Sequence, residues 1–132
     1  MKKFFSTVWP PLVVFAIDRT PIAQQLYTST EWFDDVMHFS GGVAIATMTI
    51  LCAHQFAAPW WRHAPLTHRS IIAISTTACA AVVWEWYEFL SDQLLLTQHQ
   101  LSLNDTMFDQ LYALVGALVV VCIYTLIKKS PR

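Results

Sequence analysis

Hydrophobic residues run along this chain in long, nearly unbroken stretches rather than in strict alternation. Three of them, at about 34–57, 70–92 and 105–127, reach the roughly 20 mostly apolar residues that cross about 30 Å of hydrocarbon. A shorter apolar run at about 4–18 carries Pro10-Pro11, which interrupts the backbone ladder and kinks a helix. Lys2-Lys3 before that run also opens a signal peptide, but two central prolines and the lack of an A-x-A-like site favour a retained span. The pattern predicts an all-α polytopic membrane protein: a four-helix transmembrane bundle with short loops, in a single domain over 1–132.

Composition sharpens this. Over 132 residues the chain is 55% hydrophobic and 13% charged, against about 45–50% and 25% for soluble domains. That excludes a disordered chain and a nucleic-acid binder, and leaves too few polar groups to cover a soluble globule. Cys52, Cys79 and Cys122 all fall inside apolar runs and read as small core residues rather than a disulfide framework or thiolate site.

The charges are sorted. Lys2, Lys3, Arg62, Arg69, Lys128, Lys129 and Arg132 fall at one end of the alternating spans, leaving Arg19 opposite. By the positive-inside rule both termini are cytoplasmic. The acids Asp18, Glu31, Asp34, Asp35, Glu85, Glu88, Asp92, Asp105 and Asp109 all fall toward the other end. Trp60 and Trp61 mark the inner interface, and Trp32, Trp84, Trp86 and Tyr87 the outer one.

The acids also fall at helical spacing. Asp34 and His38 are four apart, with Asp35 beside them and Gly41-Gly42 following, small enough to admit a neighbouring helix closely. Glu85, Glu88 and Asp92 form one stripe, and Asp105 and Asp109 share a face with Tyr112 and Gly116. At 1.5 Å per residue, His38 and Asp109 lie about 6 Å inside their spans and Glu85 about 5–10 Å inside its own. Intramembrane carboxylates need protons, water or a cation, and Arg19 cannot balance six of them. One histidine with carboxylates suits a divalent ion such as Mg²⁺, Mn²⁺, Ca²⁺, iron or Zn²⁺, held by Asp34, Asp35, His38, Glu85, Glu88, Asp105 and Asp109. The spacings are analogous to those of carboxylate-bridged dimetal bundles. Asp105 with Asn104 also suits a helix cap, one of Asp34 and Asp35 suits a solvated first turn, and Asp92 suits the aqueous loop. His54 reads as interfacial, His63 and His68 as plain loop, and His99 as a mobile acid/base above the site.

The runs DDVMHFSGG at 34–42, WEWYEF at 84–89 and NDTMFDQLYALVGAL at 104–118 resemble the YjdF-like family of bacterial inner-membrane proteins and, more distantly, the VanZ-like group linked to teicoplanin resistance. The resemblance implies a polytopic membrane fold and carries no activity with it. Lysine often follows the first acid in those groups, where this chain has Asp34-Asp35, which removes an internal counter-charge. Glu88 stands where the VanZ-like pattern carries glutamine, so the teicoplanin link does not transfer.

These readings lead to a metal-dependent hydrolase acting on a lipid headgroup or envelope precursor, with Glu88 as general base and His38 beside it at the ion. Membrane lipid is the expected partner, and a homo-oligomer is compatible. The alternatives are cation or proton transport and a non-catalytic assembly or regulatory subunit.

Overall fold

The computed structural model describes residues 2–30 and 32–129, of which the side chains of Lys2, Lys3 and Lys129 are not described; Glu31 and Arg132 lie outside the described residues. Six helices follow one another: α1 (Lys2–Asp18), α2 (Pro21–Ser29), α3 (Phe33–Phe56), α4 (Ala58–His63), α5 (Leu66–Leu95) and α6 (Leu103–Lys129). Among the described residues there is no strand, and the chain is a helical membrane bundle.

Three helices, α3, α5 and α6, are long and apolar enough to cross a membrane. With 17 residues α1 spans only about 25 Å and falls short of that length. It nevertheless continues through Pro10 and Pro11 as one helix. The short α2 begins with a side-chain cap, the Ala23 amide donating to Thr20 Oγ1 at 3.2 Å, followed by Pro21 in the first turn.

The bundle is organised around α3, which packs against α1, α5 and α6, while α5 and α6 also pack on each other. Glycine makes the α3–α6 crossing close. A Cβ on Gly42 would overlap the Ala113 backbone, and one on Gly116 would overlap the Phe39 carbonyl. Ala46, one turn beyond Gly42, and Ala117, one turn beyond Ala113, are fully buried on the same faces, the small-residue packing that brings helix backbones together in lipid. Gly41, by contrast, has open space where its Cβ would be. Only one of the two adjacent glycines therefore serves the crossing.

Two sequence expectations are corrected. Trp61 is not an interfacial anchor: it is 0% exposed and packs with Ile50, Ala73 and Val121, because α4 turns it into the core. Its neighbour Trp60 is exposed, as a belt residue would be. Cys79 and Cys122 are exposed and Cys52 is half-buried, so they are not core residues. They lie on helices whose outward faces carry Val82, Val83, Val119 and Ile123, and an apolar thiol suits that surface.

Candidate functional site

The polar residues converge at one end of the bundle, where α3 and α6 begin and α5 finishes. His38, in the second turn of α3, lies at the centre. Its Nε2 is 3.4 Å from Asp34 Oδ1, one turn earlier on the same helix, and 3.8 Å from Asp109 Oδ1 on α6. Ligand atoms of Asp34, His38 and Asp109 all lie within 4.8 Å of one another, as do those of His38, Glu85 and Glu88. His38 thus joins two ligand sets drawn from three helices. Neighbouring donors on one ion at about 2.0–2.6 Å stand roughly 3–4 Å apart and opposite ones roughly 4–5 Å, so either set lies within closing distance of a divalent cation.

Five of the seven sequence-derived ligands are brought together: Asp34, His38, Glu85, Glu88 and Asp109. Asp35 and Asp105 are in neither set. Asp105 instead organises the start of α6, its amide donating to Ser102 Oγ at 3.1 Å and its Oδ2 accepting the Leu101 amide at 3.3 Å. This is the capping use of a first-turn acid. Asp92 also shapes a loop: its carboxylate accepts the Thr97 hydroxyl at 2.7 Å and the amides of His99 and Gln100, both at 2.9 Å. His99 itself is exposed. Beyond Asp92 the helix runs on to Leu95, which leaves Glu85 about 15 Å inside the end of α5, deeper than its spacing had implied.

Two residues absent from the sequence reading of the site hold the carboxylates in place. Trp84 Nε1 donates to Glu88 Oε1 at 2.7 Å, a one-turn pair on α5. Gln100 Nε2 donates to Glu85 Oε2 at 3.2 Å and also approaches the Glu85 carbonyl at 3.4 Å. The Trp84–Glu88 spacing is a legible i,i+4 signal. Nothing in the sequence singles out Gln100, because its reach depends on how Asp92 folds the loop.

Among the described residues the basic group facing these acids is His38, and a single imidazole cannot balance Asp34, Glu85, Glu88 and Asp109. Glu85 is 3% exposed and Asp109 2% exposed, and Glu85 Oε1 and Asp109 Oδ1 have no hydrogen-bond partner. A buried carboxylate oxygen without a donor costs several kcal/mol unless a proton or cation meets it. Arg19 is engaged elsewhere, its Nε 2.9 Å from Asp18 Oδ2 and its guanidinium 5.1 Å over the Phe15 ring. Tyr27, on α2, donates to Asp18 Oδ1 at 2.7 Å. Burial and that bond raise its phenol above the ordinary range, which keeps it a donor.

The remaining histidines lie apart from both sets. His54 shares a 3.2 Å hydrogen bond with Tyr124 at the opposite end, and His63 and His68 line a shallow hollow with Trp60.

No curated protein and no solved structure matches the chain. A family model described as "Predicted membrane protein (DUF2238)" matches residues 11–130; it does not carry the YjdF-like name and lends no support to the VanZ-like link. With nearly its whole length covered, this chain belongs to the DUF2238 family of predicted membrane proteins.

Proposed function

We propose that this protein is a metal-dependent hydrolase of a bacterial inner membrane, acting at the periplasmic boundary on a lipid headgroup or cell-envelope precursor. One observation carries the reading: two deeply buried carboxylates, Glu85 and Asp109, each offer an oxygen without a donor beside His38. A divalent ion meets that need, and when bound it polarises an ester oxygen and lowers the pKa of a water. Asp34, His38, Glu85 and Asp109 are the proposed ligands. Glu88, oriented by Trp84, is placed to take the proton from the attacking water and deliver it to the departing alkoxide as the ester bond breaks.

Transport is the weaker reading. Toward the middle and opposite half of the bundle, Thr49 and Thr77 donate to carbonyls of their own helices, Ile45 and Ala73, at 2.8 and 3.0 Å. His54 is bonded to Tyr124. These groups offer no continuous polar path.

The test is headgroup or phosphate release from a labelled membrane-lipid extract in mixed micelles, with chelator and then Mg²⁺, Mn²⁺, Ca²⁺, Fe²⁺ or Zn²⁺ restored. Turnover should vanish with chelator, return with one ion, and fall at least about 100-fold in Glu88→Gln. Turnover indifferent to both treatments would contradict the proposal.

A further inference from the structure

Between α1 and α5, with α3 as its floor, lies a groove of 420 Å³. Its walls are almost wholly apolar, with Pro11 and Phe15 on one side and Ala80 and Trp84 on the other, and Gly41 opens its floor. The two walls approach through a Phe15–Trp84 edge contact at 6.5 Å. At one end the lining changes to His38, Asp18 and Tyr27. The groove and the candidate site therefore share His38.

Its length indicates what can occupy it. Along α5 the lining runs from Thr77 to Tyr87, about 15 Å at helical rise. That is half of the roughly 30 Å hydrocarbon layer, the depth one leaflet's acyl chain covers.

Charge fixes which end is which. Arg19 stacks on Phe15 and pairs with Asp18, both of which line the groove, and its side chain is still 40% exposed. The Lys and Arg residues at 62, 69 and 128 lie toward the other end of the bundle. The mouth thus carries the Arg19–Asp18 pair beside the carboxylates around His38, and a zwitterionic headgroup, its phosphate toward Arg19 and its ammonium toward the acids, matches both signs above a tail that lies along the apolar walls.

We propose that this groove receives one acyl chain of a zwitterionic membrane phospholipid, with its phosphate at Arg19. This rests on the hydrolase reading for its meaning, since it makes the phospholipid the substrate class, but the binding itself does not require an ion.

The experiment uses the full chain in micelles containing phosphatidylcholine with a diazirine midway along one acyl chain. Photolysis should label α1 and α5 residues lining the groove. Gly41→Leu places a side chain in open space, so it should keep the fold and the ion content while reducing that labelling at least tenfold. Arg19→Gln should weaken lipid retention severalfold in native mass spectrometry. Labelling spread over outward-facing α5 and α6 residues, or unchanged in a folded Gly41→Leu protein, would overturn the groove assignment and leave the hydrolase reading untouched. Groove labelling in a protein that holds no ion would support the assignment and remove the hydrolase reading.

Discussion

The two ends of the bundle satisfy their polar groups differently. At the end of basic residues, Arg69 is fully used: Nε donates to the Ala64 carbonyl at 2.9 Å, Nη1 to Tyr124 Oη at 3.1 Å and Nη2 to the Arg62 carbonyl at 2.8 Å. Its guanidinium also lies 5.8 Å over the Trp61 ring. At the acidic end, carboxylates from three helices surround one histidine, and the one arginine nearby pairs with Asp18. The first arrangement closes on itself and ties α4, α5 and α6 together. The second is left incomplete in a place where incompleteness is costly, and the proposed ion would complete it.

Breaking what both ends share should have the largest effect. Gly42→Leu drives a side chain into the Ala113 backbone, and overpacking at a backbone crossing costs about 3 kcal/mol or more. Thermal unfolding in detergent should show the bundle lost, or its midpoint far lowered, with both ends disrupted together.

Arg69→Ala should damage only the brace. Three hydrogen bonds and a ring contact disappear from a half-exposed side chain, so about 2 kcal/mol is expected. The unfolding midpoint should fall while ion content, measured on the same preparation, stays at the wild-type level. A loss of ion would show that the two ends are coupled.

Gln100→Ala probes the acidic end most gently. It removes the donor to Glu85 Oε2 but leaves the loop's amide bond to Asp92 intact. Supporting hydrogen bonds to ligands are worth about 10-fold or more in metal affinity, so competition with a chelator should release the ion at roughly tenfold lower chelator concentration, with little change in stability.

Much of this architecture is legible in the sequence. The three long helices follow from uninterrupted apolar length, and the convergence of Asp34, His38, Glu85, Glu88 and Asp109 follows from placing acids at one end of each. Thr20-Pro21 and Pro59 are ordinary helix starts, but apolar length dominates the pattern of such a chain and hides the short helices. Trp61 and the cysteines show a different limit. Whether an apolar residue faces a neighbouring helix or lipid depends on the rotation of each helix, and a sequence that is apolar all round carries little record of it. The separation of Gly41 from Gly42, one facing the groove and one the crossing, has the same cause. Gln100 acts across a folded loop, beyond any local spacing.

The central claim, that the acidic end holds a divalent ion, is tested most directly by elemental analysis of the detergent-purified protein beside His38→Ala, with thermal unfolding of each. The account predicts a stoichiometric ion in the wild type and less than about a tenth of it in a variant that still unfolds cooperatively, since His38 belongs to both ligand sets. No ion in the wild type, after a chelator-free preparation and added divalent cations, would contradict it and make the cluster a set of carboxylates sharing protons.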